Sequence, residues 1–427
     1  MKHIVLTILL TLVGMASMRA ALTLDSCLSM AEANYPAIRQ YAILSRTRDI
    51  DLSDINRGWL PRIGVYAQAT VQNEVPAFPD ALRGIVSQMG QDIRGIAKEQ
   101  YKIGIDLTQT VWDGGASASA RRITEADHRR AQAAVDTELY AVRERVQQTF
   151  FGILLLDMQI DIARNSVELL EADLAKIRAM IAGGTAMQAD ADMVEAQILS
   201  SRQQIALAES SRLAYRSVLG IYIGLDPDSL ELAAPPADMP ATLDCDRPEL
   251  RLFAARQELN TCRSDALQAT VMPRIGFFAQ GYYGYPGLNY FASMTDRKLS
   301  LNLIAGLKVS WNIDSFYTRD NNRRKYALAN ESIAAERDVF LFNTHLRATS
   351  ESRAIDGLRR IIGEDDRIVE LRGNVRRAAE SQLAHGVIDA TALLTKITDE
   401  QVARLNASLH QIQLLQSIYQ LKYTLNQ

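Results

Sequence analysis

From Ala116 to Ile181 the chain contains no proline and one glycine, Gly152. Proline removes a backbone donor and clashes with the preceding turn, so its absence over this stretch predicts one continuous helix over 116–181. At the helical rise per residue that element would extend about 99 Å. No compact core requires such a length. Within it Val167, Leu170, Leu174, Ile177 and Ile181 recur at alternating spacings of three and four, the narrow apolar seam of a coiled coil. Gly183, Gly184 and Thr185 follow, and they predict a tight reversal into a second helix over 187–220.

The same design occurs twice. Leu60-Pro61-Arg62-Ile63-Gly64-Val65-Tyr66-Ala67-Gln68 is echoed 212 residues later by Met272-Pro273-Arg274-Ile275-Gly276-Phe277-Phe278-Ala279-Gln280, and Pro36 maps onto Pro248 at the same offset. A register held over more than thirty positions is the mark of a tandem duplication. The first copy covers 21–224, with a helix, strands near 60–71 and 101–112, and the helix pair 116–181 and 187–220. A proline-rich linker, 225–244, carries Pro227, Pro235, Pro236 and Pro240. The second copy, 245–427, repeats the order with strands near 273–283 and 299–313 and helices over 322–384 and 389–424. Ile361, Ile368, Leu371 and Val375 give it a looser seam, Val402, Leu405, Leu409, Ile412, Gln416, Tyr419 and Tyr423 continue the spacing near the end, and Gly386 and Val387 make its turn.

The strands alternate with period two. Ile63, Val65, Ala67, Ala69 and Val71 share one face, as do Tyr101, Ile103, Ile105, Leu107 and Val111, with Gln109 out of step. Leu299 to Ile313 alternates without a break on its apolar side, against Ser300, Asn302, Lys308, Ser310 and Asn312 on the other. About nine to eleven tilted residues cross a bilayer, so these strands are long enough to do so. Trp59, Trp112 and Trp311 all fall where a strand meets a helix, which predicts an aromatic belt at one membrane surface. Four strands cannot close a membrane barrel. Two, three or four chains would therefore share one of eight, twelve or sixteen strands.

The opening residues fit export: Lys2 and His3, an apolar run from Ile4 to Val13, then small residues to Ala21 form a secretory signal over 1–20, with cleavage after Ala16 or Ala20 both compatible. Asp25, two residues before Cys27, breaks the small-residue pattern of a lipoprotein site.

With these features the sequence resembles the TolC-like outer-membrane efflux and secretion channels. The carriers are Ala33-Asn34-Tyr35-Pro36, Trp59-Leu60-Pro61-Arg62-Ile63, Val111-Trp112-Asp113-Gly114-Gly115 and the duplication itself. The resemblance implies a mostly helical α+β chain that contributes four strands to a shared transmembrane barrel, continued by long antiparallel coiled-coil helices. It also implies a homotrimer in outer-membrane lipid, extending into the periplasm, where it would dock on an adaptor linked to an inner-membrane pump. Docking would fall at the hairpin tips, Gly183, Gly184, Thr185, Gly386 and Val387. The aspartates that narrow the closed pore in well-known members fall at Ala392 and Thr395 here, so that gate is not carried over. Asp190 and Asp389 are the acidic alternatives for a constriction, and both also suit helix caps.

Other chemistry finds little support. With 47 Lys+Arg against 50 Asp+Glu the net charge is −3, which does not suit a polyanion-binding protein. Arg121-Arg122 and Arg129-Arg130 alternate with Glu125 and Asp127 and lack an aromatic platform, so no nucleic-acid partner is expected. Three cysteines make neither a disulfide framework nor a zinc site. The five histidines lack metal-binding spacing, and Glu364-Asp365-Asp366 reads as a solvated helix face. No catalytic residue, cofactor or metal is expected. The competing readings are the outer channel of a type I protein-secretion or metal-efflux system, a structural coiled-coil envelope spacer and a diffusion porin. A spacer leaves the polar strand faces unexplained, and a porin puts most of its residues into strands.

Overall fold

The computed structural model describes residues 21–88, 90 and 95–427. The expected signal sequence, 1–20, lies outside them. The described elements run α1 (Leu24–Asn34), α2 (Arg39–Arg57), β1 (Arg62–Val71), α3 (Asp80–Gln88), β2 (Glu99–Trp112), α4 (Ala116–Ala182), α5 (Gln188–Ile223), α6 (Pro248–Thr270), β3 (Arg274–Tyr285), α7 (Tyr290–Thr295), β4 (Ser300–Ser310), α8 (Ser315–Ala384) and α9 (Ala390–Leu425). The helices α4 and α8 are 67 and 70 residues long. Helix α8 starts seven residues earlier than the patterning suggests, because no glycine or proline interrupts the chain between Asp314 and Gly357. No described helix is long and apolar enough to cross a membrane.

Two compact units result, and each draws on both repeats. One comprises residues up to Ala42 with Ala133–Leu252 and Ala335–Gln427, the other Ile43–Gln132 and Phe253–Ala334. In the first, Val146, Phe150, Phe151 and Ile153 of α4 form a core with Leu24 and Cys27 of α1, Leu219 of α5, Ile355 of α8 and Ile418 and Leu421 of α9. Cys27 is fully enclosed there, and burial pushes its thiol up to about 11. A second cluster joins Leu170, Leu174 and Ile177 of α4 to Val194 and Ile198 of α5, Leu383 of α8, and Leu393 and Ile397 of α9. The first-copy seam is thus buried at Leu170, Leu174 and Ile177, with Val167 and Ile181 packed against them half-buried. The second-copy seam is not: Ile361, Ile368, Leu371 and Val375 remain about half exposed along α8. The residues of α8 that pack inward are others, among them Ala348, Ile355, Ala379 and Leu383.

The linker is stitched down rather than loose. Leu22 pairs in parallel with Leu232, and Arg216 donates to the carbonyls of Pro227 and Leu230. At its far end Asp246 N donates to the Leu425 carbonyl at 2.9 Å. Beside it the Arg247 guanidinium lies 5.3 Å from the ring centres of Tyr140, Phe340 and Tyr423 while pairing with Glu249. Cation and quadrupole attract at this range, so α4, α8 and α9 meet the start of α6 around one half-buried charge.

The other unit holds an antiparallel sheet in the order β1-β2-β3-β4. Strand β3 begins at Arg274, directly after Pro273, and pairing with β4 ends at Arg274↔Ser310. Strand β4 therefore stops at Ser310 instead of continuing to Ile313, for want of a partner.

Candidate functional site

The strand register sorts side chains into two faces. On one, successive rows read Ala67, Ile103, Tyr283, Leu301; then Val65, Ile105, Gly281, Leu303; then Ile63, Leu107, Ala279, Ala305. Their large members are bare within the chain: Leu301 is 82% exposed, Val65 74%, Leu307 73% and Leu303 72%. A water-facing sheet would bury such a face, since about 25 cal/mol is gained per Å² covered. Exposed on every strand, it fits a hydrocarbon surround.

The other face is polar and aromatic: Tyr66, Gly104, Tyr282 and Asn302 form one row, Gly64, Asp106, Gln280 and Ile304 the next, and Arg62, Thr108, Phe278 and Gly306 the third. Gln280 donates to Asp106 at 2.7 Å, and Lys102 lies 5.8 Å from the centre of the Tyr282 ring. Gly104 is required here, because a Cβ would come within 2.9 Å of the Tyr66 ring and 2.6 Å of the Gly281 carbonyl.

The alternation of β2 fails where Gln109 is out of step, and a bulge lies close by. Thr110 pairs with Gly276 and Trp112 with Ile275, which leaves Val111 as the extra residue. The bulge rotates Trp112 into the row of Ile275 and Val309. Trp59, Trp112 and Trp311 then stand at the same end of the sheet, where all four strands join helices. Trp311 donates its ring N–H to the Val271 carbonyl at 2.9 Å. At this end Asp113 closes the passage from β2 to α4 by accepting from Gly115 N at 2.9 Å and Ser117 N at 2.6 Å. The far end carries the loops 72–98 and 286–299. There Tyr285 is buried against Ile96 and Met294, its hydroxyl accepting from Ala97 N and donating to the Ser293 carbonyl.

The two hairpin tips have the same backbone geometry. Gly184 and Gly386 adopt φ of 73° and 71°. Thr185 N donates to the Met180 carbonyl and Gly184 N to that of Ile181, while Val387 and Gly386 donate in the same way to Gln382 and Leu383. This is the Schellman arrangement, which satisfies the last carbonyls of a helix and needs a left-handed residue. A Cβ at either glycine would meet nothing within 4 Å. The cost of Gly386→Ala is then purely conformational, about 1 kcal/mol, and a fall of roughly 2–4 °C in the thermal midpoint is expected by circular dichroism. Met187 and Val387 are 74% and 69% exposed at the tips. The two aspartates serve as caps: Asp190 accepts from Met187 N at 2.9 Å and Asp389 from Ala392 N at 2.8 Å.

Three polar clusters lie beyond the sequence reading. Glu400 of α9 is buried and accepts from Arg404 one turn on and from Arg376 of α8. Glu400 and Arg404 are readable as a helical pair four residues apart, but Arg376 is not. Asp365, expected on a solvated face, is 7% exposed and lies 2.8 Å from His410 Nδ1. The Arg247 cage had no local signal.

Solved structures share this fold over nearly the whole chain. The outer membrane protein VceC of Vibrio cholerae superposes with a TM-score of 0.66 at 12% identity, covering 94% of this chain and 95% of that one. The open-state MtrE outer membrane channel of Neisseria gonorrhoeae gives 0.67 at 16%, with 94% and 88% covered, and the CmeC outer membrane channel of Campylobacter jejuni 0.64 at 12%, with 94% and 85%. In sequence, no curated protein matches. Residues 27–224 match the profile of the outer membrane efflux proteins. That match spans the first repeat, just under half of the chain. The shared fold and the exposed apolar face of the sheet suit contact with lipid.

Proposed function

We propose that three copies of this chain close a twelve-stranded barrel and export small molecules, delivered by an inner-membrane pump through a periplasmic adaptor. The observation that carries this reading is the open sheet. It has one apolar, exposed face, and both of its edge strands, β1 and β4, lack an outer partner within the described chain. An unpaired strand edge in hydrocarbon leaves backbone donors and acceptors unsatisfied at several kcal/mol each, so the edges must be paired by other copies. The half-exposed stripe Ile361, Ile368, Leu371 and Val375 on α8 supports the same conclusion, as a helical seam with no partner in its own chain. Smaller closed barrels start at about eight strands, and twelve also leave an interior wide enough to conduct.

Adaptor contact is assigned to the tips, where Thr185, Met187 and Val387 are exposed next to fixed turns. The test is chemical cross-linking with native mass measurement in detergent, together with photoreactive groups at Thr185 and Val387 in cells that express a candidate adaptor. Three copies and a tip-to-adaptor product are expected. A monomer in mild detergent defeats the shared barrel, and tips that stay free during active export defeat the docking assignment.

A further inference from the structure

The polar strand face is unevenly charged. It carries Arg62, Lys102, Arg274 and Lys308 against one carboxylate, Asp106. Three of the cations gather at the helix-bearing end in consecutive rows: Arg62 opposite Thr108, Lys308 opposite Gly276, and Arg274 opposite Ser310. Arg62 and Arg274 occupy equivalent positions of the two repeats, so the duplication doubles the charge on this rim.

All three side chains are exposed, and none forms an ion pair among the described residues. They line one open cleft of about 450 Å³ with Thr108, Thr110 and Ser117. Asp113 also borders it, but its carboxylate is already held by Gly115 N and Ser117 N. Asp106 is held by Gln280, and Lys102 rests over Tyr282. The cleft therefore carries three cations against the single carboxylate of Asp113, an excess of two positive charges per chain, on a wall whose other side is apolar. Low-dielectric walls focus such a field into the lumen, and rings of Arg or Lys are the usual means of admitting anions.

We propose that this rim makes the barrel anion-selective and that the cargo of the channel is anionic. The inference rests on the channel reading above and narrows it to a substrate class.

The experiment is the zero-current potential of the purified full-length protein in a planar bilayer under a potassium chloride gradient. Chloride is expected to permeate over potassium by at least about threefold, the enrichment given by a potential of roughly one kT. The variant Arg62→Gln, Arg274→Gln, Lys308→Gln is expected to conduct with a permeability ratio near one, its retained conductance reporting a folded barrel. If the triple variant does not insert, Lys308→Glu alone should lower the ratio. Open channels that prefer potassium, or a ratio untouched by these substitutions, overturn the inference and leave the channel reading intact. A protein that inserts and never conducts defeats the channel reading, and this inference with it.

Discussion

Leu303→Arg is expected to stop the protein from accumulating in the outer membrane, while Ile304→Arg, the next residue along, leaves insertion nearly unchanged. Leu303 is the fourth of the eleven residues of β4, in the row of Val65, Ile105 and Gly281, and is 72% exposed. An arginine there would face hydrocarbon, at a cost of up to about 2–4 kcal/mol per chain. In the proposed three-chain barrel the penalty would be repeated in each protomer. Ile304 lies in the row of Gly64, Asp106 and Gln280 on the polar face, where a cation meets a carboxylate and water. Strand periodicity reverses the outcome over a single position. Membrane fractionation with urea extraction reads both variants. Equal insertion of the two would mean that the apolar face does not meet lipid.

The second large effect is expected at Glu400. Its carboxylate is 4% exposed and receives Arg404 Nε at 3.1 Å and Nη2 at 2.7 Å, together with Arg376, which also pairs with Glu380. Removing the carboxylate leaves Arg376 with Glu380 alone and Arg404 to solvent, so Glu400→Ala is expected to cost about 2 kcal/mol through the charged hydrogen bonds lost. Burial works to raise the carboxyl's pKa, but the hydrogen bonds from Arg404 and Arg376 outweigh it and hold the group below the ordinary glutamate value. A carboxyl depressed in the folded state stabilises it fully above the unfolded pKa, about 4.3, and loses that contribution as pH falls through the folded value. Thermal midpoints of the wild type should therefore hold between pH 7 and 5 and fall below about pH 4, more steeply than in Glu400→Gln. Identical acid slopes in the two proteins would remove Glu400 from the acid response.

The sequence read well wherever a single element sets the answer. The run from Ala116 to Ile181 became one helix because nothing in it interrupts i-to-i+4 bonding. Gly184 and Gly386 announced their turns because a left-handed residue is sterically cheap only for glycine. The apolar faces of β1, β2 and β4 were visible as period-two alternation, and even the irregular Gln109 marked the neighbourhood of the bulge. Reading failed where a residue's environment is supplied from far along the chain. The seam on α8 has the correct spacing yet remains half exposed, because spacing names an apolar stripe and not the surface that covers it. Asp365 sits in an acidic run that looks solvated, and only His410, 45 residues away, makes it an interior pair.

By itself, then, the sequence determined helix length, strand face, turn position and the doubling of all three, since each follows from local sterics and periodicity. Tertiary structure alone decided that β2 pairs with β3 across the repeats, that both compact units are assembled from both copies, and that Arg62, Arg274 and Lys308 share one rim. The physical reason is that pairing between distant segments is chosen by the sum of all contacts closed at once. No single stretch of residues carries that sum.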